Sequence, residues 1–171
     1  YTPWKKAPIY KDVLKSPLIS GNPANGEKIF NARCILCHDH NSLSNAKLGP
    51  PLKGIGNMFS KPEMLTAIKE PSRGIKTDYE TYEIVKKDGS KLLGRLTSVD
   101  EEGLSIMLPG NSIFNIKKSD VKSEKMLVNS LMPPGLLNGL SETDINDLLA
   151  FMKVRKKNIA ALAKASSPDG L

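Results

Sequence analysis

Cys34-Ile35-Leu36-Cys37-His38 is the stretch from which the rest of the chain is read. Two thiols separated by two residues, with an imidazole directly after the second, have the spacing that covalent haem attachment requires. Each thiol adds across one vinyl group of the macrocycle to form a thioether. The adjoining imidazole is then held beneath the iron to supply its proximal nitrogen. A structural zinc site takes four ligands, and the chain has no second cysteine pair and no paired histidines to complete one. A thioredoxin-type redox pair opens a helix in a βαβ unit, whereas here the preceding stretch reads as a helix and no such unit follows.

The composition agrees with a chain built around a cofactor. The 171 residues are 39 % hydrophobic but only 5 % aromatic, with 12 prolines and 13 glycines. That suffices for one ordinary domain with extensions, and a large flat apolar group would fill a core that few aromatics leave thin. Both cysteines lie in the motif, so thioethers at both would exclude a disulfide. The formal charge of +7 fits a solvated surface or electrostatic steering. No nucleic-acid motif accompanies it. No apolar run approaches the length of a membrane span. The missing initiator methionine suggests a processed or trimmed chain, with any signal peptide already removed.

Outward from the motif, Pro23 suits the first turn of a helix on which Gly26, Ile29 and Phe30 share a face. Upstream, 1–22 carries Pro3, Pro8 and Pro17 and reads as an extended strap. Downstream, a polar loop runs through Lys47, and Leu48-Gly49-Pro50-Pro51-Leu52-Lys53-Gly54-Ile55-Gly56 excludes regular helix and central strand. Lys61-Pro62-Glu63 opens a second helix that Pro71 stops. From about Thr77 the periodicity changes to four short strand-like runs, Tyr82–Lys86, Lys91–Thr97, Gly103–Leu108 and Ser112–Ile116, punctuated by Asp88-Gly89 and Pro109-Gly110-Asn111. They predict an antiparallel meander of three or four strands inserted at about 77–125, with one face packed on the helical body. After an irregular stretch containing Met132-Pro133-Pro134-Gly135, Ser141 and Asp144 form a capping-box pattern ahead of Ile145, Leu148, Leu149 and Met152. A tail at 158–171 carries no recognisable chemistry.

With these elements in order, the sequence resembles the class I cytochrome c family over about Asn22 to Lys157, the insertion set aside. The resemblance rests on Gly26 and Phe30 before the CxxCH, on Gly49-Pro50 with Leu52 and Gly54 after it, and on Met132-Pro133-Pro134 before a final amphipathic helix. With its insertion, the chain looks like the haem-binding domains of planctomycete and verrucomicrobial proteins, often appended to dehydrogenases. The resemblance implies a mainly α fold, a class I cytochrome c helical fold at 23–157 around one covalent haem c. It implies Cys34 and Cys37 as attachment points, His38 and Met132 as axial ligands, and the Pro50 carbonyl as acceptor for the second nitrogen of His38. Leu52, Phe30, Ile55 and Pro133 would line the haem pocket. Gly26 and Phe30 are similar to positions that cross the last helix, with Phe151 as partner.

Six methionines require a choice among them. Met64 and Met152 fall on helical apolar stripes and Met107 falls within a strand, so each has a packing explanation. Met132 stands in a loop stiffened by two prolines, which makes it the first candidate; Met58 and Met126 are the others. His40 is expected to be a solvent-facing loop residue. Lys47, Lys53, Lys61, Lys69 and Lys76 fall near the expected haem rim, where they would steer an acidic redox partner such as a dehydrogenase, a reductase or another cytochrome, with a hetero-oligomer as one possible form.

The functional expectation is a periplasmic one-electron transfer protein, and no enzyme, since filled axial positions leave no catalytic site. The alternative is a haem-based sensor or binder of a small gas such as NO or CO, in which Met132 is absent from the iron or leaves it. A peroxidase would need an acid or base beside an open iron, and the sequence offers no histidine for that role.

Overall fold

The computed structural model describes residues 20–40 and 47–153. The expected strap up to residue 19, the loop at 41–46 and the chain from 154 onward, including the tail at 158–171, lie outside the described residues.

Among the described residues, three α-helices carry the haem motif and its surroundings: α1 (Pro23–Arg33), α2 (Lys61–Lys69) and α3 (Glu142–Lys153). Each begins where local chemistry supplies a partner for the orphan amides of a helix start. At α1, Pro23 occupies the first turn and the Asn22 side chain accepts from the Ala24 N–H at 3.0 Å. At α2, the Ser60 amide donates to the Glu63 carboxylate at 2.6 Å, and the Ser60 hydroxyl accepts from the Glu63 amide. At α3, the Asp144 amide donates to Ser141 Oγ and the Ser141 amide donates to Asp144 Oδ2, each at 3.1 Å. A short 3-10 turn, Ile55–Asn57, interrupts the proline-rich stretch before α2.

The crossing expected between Gly26, Phe30 and Phe151 is present. A Cβ at Gly26 would collide with the Asp147 carbonyl and come within 2.8 Å of Phe151 Cβ, so glycine lets the backbones of α1 and α3 approach closely. Phe30, 1 % exposed, packs its ring 5.4 Å from that of Phe151. Around this contact Ile29, Met64, Leu137, Leu148, Leu149 and Met152 form one apolar cluster. Burying a side chain such as Phe30 there contributes about 1.5–3 kcal/mol.

The expected mainly α fold is corrected by the strands. Helices hold about 30 % and strands about 25 % of the described residues, which is not a mainly α class I cytochrome fold. Five strands, and not three or four, form one antiparallel sheet: β1 (Thr81–Lys86), β2 (Lys91–Val99), β3 (Gly103–Met107), β4 (Ile113–Lys117) and β5 (Val121–Leu127), in the order β4-β3-β2-β1-β5. β2 serves two partners, pairing with β1 through Lys91–Gly94 and with β3 beyond Arg95, with a register shift between Leu96 and Ser98. β5 runs to Leu127, beyond the expected end of the insertion, and pairs with β1 in the register Thr81↔Leu127. The chain therefore leaves for the sheet and returns from it on neighbouring strands.

The expectation that one face of the sheet packs on the helices is also corrected. Ile84, Leu104, Ile106 and Ile116 form a second cluster with Tyr82, Leu92, Leu96, Leu108 and Val121 around it, and this cluster shares no residue with the helical one. The alternation of apolar and polar residues marks a buried face, but here that face is buried within the sheet itself.

Candidate functional site

Cys34 caps α1, and the chain then turns tightly: the amides of Cys37 and His38 both donate to the Cys34 carbonyl, at 3.1 and 2.9 Å. This turn delivers His38 to the interior, where it is 9 % exposed. The segment from Leu48 runs alongside. Gly49 N–H donates to the Cys37 carbonyl and Leu52 N–H to that of Asp39, both at 2.7 Å. The Pro50 carbonyl lies 2.7 Å from His38 Nδ1. A carbonyl accepts only, so Nδ1 carries the proton and Nε2 keeps its lone pair for a metal.

Electrostatics favour the same state. Burial holds His38 below the ordinary histidine range, outweighing the Pro50 carbonyl, which favours the proton, while nearby Lys47 lowers it further. Burial pushes the Cys34 thiol up to about 11, despite Arg33 beside it. It also raises Cys37, opposed by Lys47. Both thiols are free and partly buried.

Cys34, His38, Leu52 and Met132 line one cavity together with Arg33, Ile68, Leu136, Leu137, Leu148 and Met152. The donor set fits a c-type haem: a thiol, a neutral imidazole and a thioether converge on an apolar lining, and soft sulfur with imidazole nitrogen is the chemistry that iron takes in such a group. The enclosed volume, about 40 Å³, is far below that of a macrocycle, so the fit rests on the donors and the lining. Cys37 stands one turn position from His38 outside this lining, and Pro50 acts through its carbonyl. Phe30 sits in the α1–α3 crossing, Ile55 packs at the edge of the helical cluster, and Pro133 is exposed.

The rival methionines are placed differently from Met132. Met58 and Met126 are 50 % and 57 % exposed. Met132 is half-buried, its amide donating to Ser130 Oγ at 3.1 Å while the Ser130 amide donates to Ser72 Oγ at 3.0 Å. Arg33 secures the same loop from the motif side, its guanidinium donating to the carbonyls of Leu136 and Asn138 at 2.7 and 2.9 Å. Nothing in the sequence pattern singles out Arg33 for this task.

His40 corrects the expectation of a solvent-facing residue. It is 6 % exposed, stacked at 4.2 Å on Phe151 and edge-on to Phe30 at 5.5 Å. Burial lowers its pKa despite neighbouring carbonyls and carboxylates. Asp147 was equally hidden in the helical stripe. Its carboxylate, 5 % exposed, accepts from the Asn22 amide at 2.6 Å and from Asn25 Nδ2 at 2.8 Å, placing negative charge at the start of α1.

The five lysines occupy different local settings. Lys61 and Lys69 bound α2, Lys53 is exposed before the 3-10 turn, Lys76 lies over the Tyr79 ring at 5.5 Å, and Lys47 Nζ donates to the Ile35 carbonyl at 2.5 Å. Among the described residues no helix is long and apolar enough to cross a membrane.

No protein-family model matches the chain. Over 36 residues it is 50 % identical to cytochrome c2 of Pararhodospirillum photometricum, a stretch that covers 21 % of this chain and 32 % of that protein. The chain thus matches about a third of the length of this curated relative. The likeness, confined to that stretch, is to a c-type cytochrome.

Proposed function

We propose that the chain is an extracytoplasmic one-electron carrier with one haem c, joined through Cys34 and Cys37 and ligated at its iron by His38 and Met132. The observation that carries this reading is the 2.7 Å bond between His38 Nδ1 and the Pro50 carbonyl, on a ring that shares its cavity with Cys34 and Met132. The bound group supplies a reversible ferric/ferrous couple. The protein's residues hold His38 in one tautomer, keep water from the lining through Leu52, Leu137 and Leu148, and fix the Met132 loop through Arg33 and Ser72. A His/Met pair sets the potential on the high side. Lys47, Lys53, Lys61, Lys69 and Lys76, within an excess charge of +7, favour encounter with an acidic redox protein.

The test is an oxidised-minus-reduced absorption spectrum together with acid-acetone extraction. Haem that stays with the denatured chain, and a methionine-to-ferric-iron charge-transfer band, are the expected results. Haem released into the solvent would overturn the covalent reading. CO binding to the untreated ferrous protein would favour the gas-binding alternative over the carrier.

A further inference from the structure

We propose that Asn111, at the tip of the β3–β4 hairpin, is a positioning residue for the proximal haem ligand, its carboxamide pinning the haem-attachment loop to the segment whose Pro50 carbonyl orients His38. This inference rests on the haem reading above. Pro109 and Gly110, the latter at φ 91°, make the tight turn, with the Asn111 amide donating to the Leu108 carbonyl at 3.0 Å. Asn111 itself sits at φ 63°, in the left-handed region that asparagine tolerates. Its side chain then leaves the sheet. Nδ2 donates to the Leu36 carbonyl at 2.7 Å, and Oδ1 accepts the Leu48 amide at 2.9 Å. The two partners fix which end is which, since a carbonyl only accepts and an amide N–H only donates.

A carboxamide used at both ends is a peptide group in miniature. The attachment loop and the Leu48–Leu52 segment already join directly, through Gly49 N–H to the Cys37 carbonyl and Leu52 N–H to the Asp39 carbonyl. Leu36 and Leu48 each precede one of those paired residues. Asn111 therefore adds a bridged rung at the open end of the ladder, on the side of the two cysteines. His38 Nδ1 meets Pro50 within the same ladder, so slippage at the Leu36–Leu48 rung moves the acceptor relative to the ring. Both contacts reach across 63 and 75 sequence positions, while the sheet has its own apolar cluster. The side chain thus serves the haem motif rather than the sheet.

Asn111→Gly in the haem-loaded protein tests this, because glycine keeps the left-handed backbone and removes only the carboxamide. Amide exchange at Leu48 and Gly49 should accelerate at least about tenfold. The His38 Nδ1–H resonance and the reduction potential should both move from their wild-type values. Asn111→Asp, which keeps an acceptor for Leu48 but offers no donor to Leu36, should keep Leu48 protected yet, with the Leu36 arm of the bridge lost, still shift the His38 resonance and the potential, by less than the glycine variant does. It is also the deciding variant should the glycine form not accumulate. A native His38 resonance and potential in these variants would overturn the proposal and leave Asn111 a turn former, while the covalent haem reading stands. Extraction of the haem from the wild-type chain by acid acetone would instead overturn the haem reading, and this proposal with it.

Discussion

Gly49 faces the His38 imidazole so closely that a Cβ would lie 2.6 Å from Cε1 and 2.8 Å from Nδ1. The glycine next to Pro50 is thus needed for space: it leaves the ring free to reach the Pro50 carbonyl. Gly49→Ala should push the imidazole off that acceptor and destabilise the protein by about 1–3 kcal/mol, the usual cost of overpacking. The urea midpoint should fall, and the slowly exchanging Nδ1–H resonance of His38 should disappear. An unchanged midpoint would show that the segment shifts without cost.

Gly26→Ala makes the same argument at the helix crossing. The new methyl group would meet the Asp147 carbonyl and Phe151 Cβ, and backbone cannot swing aside as a flexible side chain can. The expected loss is at the upper end of overpacking, about 3 kcal/mol. Thermal unfolding should show a clearly lower Tm. Separation of α1 from α3 would also unstack His40 from Phe151, so the His40 ring resonances should report the change.

The elements that were legible in the sequence are those specified by neighbouring residues. Pro23, Lys61-Pro62-Glu63 and the Ser141–Asp144 box mark helix starts within a few residues of where they act. β5 was not legible: Lys122, Ser123, Glu124 and Lys125 are all exposed and break any apolar alternation, as suits an edge strand paired to β1 from far along the chain. Nor could alternation in Leu104 and Ile106 say what their buried face would meet. Pro109-Gly110-Asn111 was readable as a turn, but its grip on Leu36 and Leu48 depends on how the hairpin lies against the motif. His40 is buried against Phe30 and Phe151 at the helix crossing, and nothing in the residues beside it says that the chain after the motif folds back onto that crossing.

The start of α3 should respond to acid. Hydrogen bonds from the Ser141 side chain, the Ser141 amide and Asn25 hold the Asp144 carboxyl below its ordinary value. A carboxyl whose pKa is depressed by folding adds stability above its unfolded value, near 3.8, and this contribution is lost as pH falls through the lower folded value. Ser141→Ala should cost about 1 kcal/mol at neutral pH, and its difference from wild type should shrink on acidification below pH 4. Urea unfolding at neutral and acidic pH measures both. A difference independent of pH would show that the cap works without the carboxylate.

Met132→Ala is expected to open the iron while leaving the helical cluster in place. Met132 is half-buried in a loop held by Ser72, Ser130 and Arg33, and it lies outside the cluster formed by Phe30, Phe151 and Leu149. Its loss should therefore cost less than the about 2–5 kcal/mol of truncating a fully buried methionine. The reduction potential should fall, because a thioether ligand favours the ferrous state. The ferrous variant should bind CO, and the charge-transfer band should vanish. Met58→Ala and Met126→Ala, at positions 50 % and 57 % exposed, should change none of these. Should either of them open the iron while Met132→Ala leaves the spectrum native, the distal ligand belongs to that methionine, and the cavity shared by His38 and Met132 is only packing.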